Sequence, residues 1–217
     1  LLTIVSWLTL GIGILSSIVI ALDVRKHPQM MKVMNVVWPI NGWFLGPIAI
    51  WTYFRWGRLK AKDNTKQSNL GLKEKVFVST SHCSSGCSMG DAIGVPIIAL
   101  TGWTVFQSTL LAHYVLEFVL AFIFGIVFQL LALYPMNKEK GIKHSLKASL
   151  KADSLSLIAF EIGMFGWMAI VHLTFNNPPI PSEPTYWLMM QIAMILGFIT
   201  SYPANMILVK KGIKSTM

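Results

Sequence analysis

"AHYVLEFVLAFIFGIVFQLLALY", residues 112–134, carries one carboxylate, Glu117, and no Lys or Arg. A helix rises 1.5 Å per residue, so about 20 such residues cross the roughly 30 Å hydrocarbon core of a bilayer. Five further stretches share that length and character: 1–22, 33–54, 88–109, 153–175 and 186–209. The chain therefore reads as an all-α, polytopic transmembrane helical bundle of about six spans, a single integral membrane domain over residues 1–217. Composition agrees: 54% of residues are apolar, 12% are charged, and mean hydropathy is +0.59. That charged share is about half of what a soluble domain carries. The first apolar stretch has no A-x-A cleavage site and is read as a retained helix rather than a signal peptide. The first three and last three spans match in neither length nor motif, so the inverted-repeat transporter pattern is absent.

The net charge is +9. Its cations cluster between apolar spans, as expected for topology signals and anionic headgroups, and no basic-aromatic motif indicates nucleic acid. The stretches 55–75 and 137–151 and the tail "KKGIKSTM" are strongly basic, whereas the connections near 107–112 and 176–185 hold no Lys or Arg. Six spans with both termini in the cytoplasm would put all three basic regions inside. One loop misfits: Arg25, Lys26 and Lys32 would then lie outside. A re-entrant pair of half-helices in place of span two would move them inside, and Pro39, Gly42, Gly46 and Pro47 are the residues that could break it.

"STSHCSSGCSMGD", residues 79–91, holds both cysteines of the chain with one His, one Met and one Asp. Ser79, Thr80 and Ser81 read as a helix start, because hydroxyls satisfy free N–H groups there. On that helix Cys83 and Cys87 share a face, Asp91 lies about 80° round from Cys83, and His82 points about 100° away unless it precedes the first turn. A disulfide one helical turn long has poor geometry. Two thiols with His82 and Asp91 suit a soft or borderline ion, Cu(I) or alternatively Zn(II). The spacing does not match covalent c-type haem. The competing reading is that small Cys, Ser and Gly residues let helices pack closely.

Four acids sit in or at the edges of spans: Asp91, Glu117, Asp153 and Glu161. An intramembrane carboxyl is costly and marks function or a hydrogen bond to a neighbouring helix. Glu161 shares a face with Met164, Met168 and His172, and Glu117 follows His113 by one turn, a possible second polar site. Among twelve methionines, Met164, Met168, Met190 and Met194 could relay Cu(I) as thioethers, or could be plastic core packing. By depth, Tyr202, Asn205 and Asp153 fall level with the cysteine stretch, which would make a cytoplasmic-side pocket. No HExxH, G-x-S-x-G, Walker or Rossmann signature occurs, so no catalytic residue is assigned and no nucleotide is indicated.

With "VMNVVWPI", "LGPIAIWTYFRWGR", "KADSLSLIAFEIGMFGWMAI" and "MMQIAMILGFITSYPANMILVKKGIK", the cysteine stretch resembles a domain-of-unknown-function (4396) family of prokaryotic integral membrane proteins with an HC-x-x-GC-x-x-GD signature. His82, Cys83, Gly86, Cys87, Gly90 and Asp91 carry the match, and the resemblance runs from about Met34 to Gly212. It implies a prokaryotic cell membrane and a helical fold, and no reaction. The expectation from the residues is a membrane protein that binds and handles or transports Cu(I). His82, Cys83, Cys87 and Asp91 would be its ligands, and Glu161 would balance charge or move protons. The alternatives are a non-catalytic subunit among partners in a larger membrane complex, and a membrane thiol oxidoreductase.

Overall fold

The structure, a computed structural model, describes residues 1–58, 70–134, 139 and 141–214. Parts of the expected basic loops, 59–69, 135–138 and 140, lie outside the described residues. The described chain is all-helical: α1 (Leu2–Lys26), α2 (Met34–Leu45), α3 (Pro47–Thr52), a π-helical turn (Tyr53–Gly57), α4 (Leu72–Thr101), α5 (Thr109–Leu133), α6 (Gly141–Thr174) and α7 (Pro184–Lys210). Five of these, α1, α4, α5, α6 and α7, are long and apolar enough to cross a membrane.

The expected second span is not one helix. Gly46 takes φ +56° between α2 and α3, a backbone conformation open to glycine, and Pro47 starts the next helix. The pair folds back on itself. The ring of Trp38 in α2 meets Tyr53 at 5.5 Å between centroids, and Gly57 lies against the same indole. Helix α2 runs antiparallel to α1, with Gly42 seated on the backbone of Ser16 and Ser17 and Gly46 near Ile12. The chain then returns: the Tyr53 hydroxyl donates to Asp23 at 2.7 Å, and Arg58 pairs with Asp23 at 3.1 Å. Ile12 and Asp23 are about 16 Å apart along α1 at 1.5 Å per residue. The hairpin thus enters about half the depth of a bilayer and leaves on the side it came from.

This re-entrant hairpin removes the charge misfit. The 25–32 connection and Arg55–Arg58 now share one end of the bundle with the start of α4, the 134–141 connection and the end of α7. Every Lys and Arg among the described residues falls toward that end. Five crossings also put Leu1 and Lys214 at opposite ends, unlike the six-span expectation of both termini on one side.

The third span also begins earlier than its hydropathy suggests. Helix α4 starts at Leu72, not at 79–81 or 88, and stops at Gly102, whose φ of +63° ends it with a left-handed cap. Ser79, Thr80 and Ser81 are therefore interior residues and not caps. Hydroxyls here bond back to carbonyls one turn earlier, as Thr80 does to Val76 at 2.8 Å and Ser85 to Ser81 at 2.8 Å. Such a helix is tolerated because it is enclosed: 61% of its spanning window is buried, against 22% for α1. Helices α2, α5, α6 and α7 surround it.

Candidate functional site

Two stripes of α4, offset by one residue, do different work. Gly86, Gly90 and Gly94 face α5. A Cβ on Gly86 would lie 2.7 Å from Gly125 Cα, and one on Gly90 would lie 2.7 Å from Ala121 Cα, so the two backbones touch. Cys87 and Asp91 each follow one of those glycines by one residue, about 100° round, and Cys83 lies one turn before Cys87 on the same stripe. That stripe turns into the bundle toward α6, where Cys83 Sγ sits 3.2 Å from the Ser156 hydroxyl. The small-residue reading and the ligand reading of the motif thus apply to different residues of it. A third face meets the re-entrant hairpin: Asn41 donates to the Ser81 carbonyl at 3.2 Å, and Ser85 donates to the Val37 carbonyl at 3.2 Å.

The thiols stand in the middle of a polar axis. Both are free and at most 1% exposed. Cys87 interacts with Cys83 on its own helix and with Glu161 and Asp91. Asp91, Glu161 and Glu117 in turn lie within electrostatic reach of one another. None of the four carboxyl oxygens of Asp91 and Glu161 has a hydrogen-bond partner among the described residues. Buried polar groups are normally paired, so such a concentration marks a place where something polar is accommodated. One turn further along, Glu117 Oε1 lies 2.8 Å from His113 Nδ1, and the expected pair is formed. That pair borders a cavity of about 300 Å³ lined by Tyr114, Met168, His172 and Tyr186 among others, at the bundle end without Lys or Arg.

Toward the basic end the axis continues from Cys83 through Ser156 to Asp153, Asn205 and Lys214. Lys214 Nζ donates to Asp153 Oδ1 at 2.9 Å, to Asn205 Oδ1 at 2.8 Å and to Ser156 Oγ at 3.4 Å. All four residues are at most 1% exposed. Burial is the largest single influence and opposes the charge of Lys214, but Asp153 and the two thiols together outweigh it and raise the pKa above the ordinary lysine value. Removing one partner of a fully buried pair costs about 3–5 kcal/mol, because the other charge is left uncompensated.

Depth counting correctly places Asp153 and Asn205 at the cysteine level. Tyr202 does not join them; its hydroxyl donates to the Lys73 carbonyl at the helix end. Sequence reasoning missed Lys214 and Ser156. His82 is fully buried, but its ring faces Phe128 on α5 at 6.3 Å. It lies within electrostatic reach of Asp153 and Lys214, and its ring is beside the Phe128 backbone. Among those residues no three His, Cys, Asp or Glu side chains converge as a metal-binding group. What the fold brings together is the thiol pair; Met164, Met168, Met190 and Met194 belong to the same extended buried apolar cluster as Cys87. Two-coordinate Cu(I) asks for no more than two soft donors.

Residues 73–214, more than half of the chain, match the family described as a domain of unknown function (DUF4396), and the chain belongs to that family. The match covers α4 to α7 and ends on Lys214; it starts later than the resemblance from Met34 suggested. No curated protein and no solved structure gives a significant match to the chain.

Proposed function

We propose that this member of a family without an assigned activity binds Cu(I) at the Cys83–Cys87 thiol pair and passes it across the membrane. The observation that carries the reading is the position of the pair. It lies midway along a buried polar axis that runs from the His113–Glu117 cavity at one end to Asp153 and Lys214 at the other. Soft sulfur selects Cu(I), and buried thioethers extend the same chemistry without adding charge. Binding one Cu(I) as a dithiolate breaks two S–H bonds, forms two S–Cu bonds and releases two protons. The Asp91 and Glu161 carboxyl groups beside Cys87 are placed to relay those protons, each passing one on as it receives another. His82 faces another helix and would serve electrostatically rather than as a ligand.

On this reading the basic end is cytoplasmic, which the clustering of lysines and arginines there supports. The cavity end then faces outward and carries residue 1, which replaces the expectation of two cytoplasmic termini. Full burial of both thiols favours a small ion over a protein thiol as the species that reaches them. The test is Cu(I) flux into proteoliposomes under reducing conditions. Wild-type protein is expected to give saturable flux, and Cys83→Ser with Cys87→Ser to lose it; equal flux in both would refute the proposal.

A further inference from the structure

The last described residue of the chain, Lys214, is buried against α6 and α7. Beyond α7 the chain turns back at Gly212, where φ is +65°, and inserts the Lys214 side chain between α6 and α7. Its ammonium is held by three oxygens of three different kinds: the Asp153 carboxylate, the Asn205 amide and the Ser156 hydroxyl. All three residues are buried, and the second carboxylate oxygen of Asp153 has no hydrogen-bond partner among the described residues. The Ser156 hydroxyl that touches the ammonium also touches Cys83 Sγ at 3.2 Å. An ammonium therefore stands one hydroxyl away from the thiol pair, on the side that leads to the basic end.

We infer that Asp153, Asn205 and Ser156 form an inner site for a monovalent cation, and that Lys214 is a tethered plug that occupies it until the transported ion takes its place. The inference rests on the transport reading and extends it to the exit. The donor chemistry fits a transit site. Thiols hold Cu(I) tightly, and oxygen donors hold it weakly, so an ion handed from Cys83 to this site is poised to leave. The plug also answers a physical need. With the site vacated, a buried carboxylate would stand without a counter-charge, so one cation or another must fill it. The other titratable side chains within reach of this pair are His82, Cys83 and Cys87, so the ammonium faces the thiol pair as well as the Asp153 carboxylate.

The experiment reads the accessibility of Cys83 and does not depend on copper. In a Cys87→Ser background, a membrane-impermeant thiol reagent is applied from the basic face, and the labelling rate is compared across variants. Lys214→Met removes the ammonium and keeps the bulk, and it is expected to raise the rate on the order of tenfold or more, since thiol reactivity follows access. Lys214→Arg keeps a cation and should stay slow. Methylammonium, the free counterpart of the lost side chain, should protect Cys83 in Lys214→Met. If Lys214→Met fails to fold, Asp153→Asn with Lys214→Gln removes both charges at once, leaves no uncompensated ion, and should label fast. A folded neutral variant that labels as slowly as wild type would overturn the plug. So would fast labelling of Lys214→Arg, or the absence of methylammonium protection. Equal copper flux in wild type and the thiol variants would leave each of these labelling outcomes intact, so failure of one proposal is distinguishable from failure of the other.

Discussion

Gly90→Ala should separate α4 from α5 and lower the stability of the whole bundle. The added Cβ would sit 2.7 Å from Ala121 Cα and 2.9 Å from the Leu120 carbonyl carbon. Carbon atoms reach their best separation at about 3.5–4.0 Å. The obstacle is backbone on both sides, which no rotamer change relieves, so the helices must part by about 1 Å there. Overpacking of this kind costs about 1–3 kcal/mol. Alanine also brings a helix-propensity gain of about 1 kcal/mol over glycine, which acts in the opposite sense. Gly166→Ala isolates that gain, because a Cβ at Gly166 would meet nothing within 4 Å. Both variants carry the same propensity change, so their difference in stability is the overpacking term alone. At roughly 2–4 °C per kcal/mol for a chain of this size, that is a gap of about 2–12 °C in melting midpoint. Circular dichroism of detergent-purified protein would measure it, with Gly166→Ala at or above wild type and Gly90→Ala below Gly166→Ala by that gap. Coincident melting of the two variants would refute the idea that the glycine stripe seats α5.

The re-entrant hairpin makes a topological prediction: single cysteines replacing Lys32 and Arg55, in a chain lacking Cys83 and Cys87, should both label from the basic face, while one replacing Phe106 should label from the other. Labelling of the first two from opposite faces would restore a sixth crossing. Asn41→Ala should weaken the seat of the hairpin on α4, since it deletes the donor to the Ser81 carbonyl inside the bundle. A cost of about 1–3 kcal/mol is expected for a buried group left unpaired, read as a lower melting midpoint, and an unchanged midpoint would argue against that seat.

Much of this architecture is legible in the residues. Helices α1, α5 and α7 follow from apolar runs of spanning length. The re-entrant hairpin is legible only when two signals are combined: the breakers Gly46 and Pro47, and the cations Arg25, Lys26 and Lys32 stranded on the wrong side of a six-span scheme. The true start of α4 is hidden because hydropathy reports what faces lipid. Helix α4 faces protein, so its serines and Thr80 look like a cap and a loop when they are the middle of the best-enclosed helix. At the site, four-residue spacing correctly aligns Cys83, Cys87 and Asp91 and turns His82 away. Lys214 is illegible for a different reason. In sequence it is one more lysine of a basic tail, and only the backward turn after α7 brings it to Asp153. Ser156 is likewise one serine among many until α4 and α6 are set side by side.

The most direct measurement of the central claim is the copper content of detergent-purified protein loaded with Cu(I) under reducing conditions, beside the Cys83→Ser, Cys87→Ser variant prepared in parallel. Near-stoichiometric copper in the wild type and none in the variant is the expected result. Equal copper in both, or none in either, would contradict a thiol-pair site and return the two cysteines to packing.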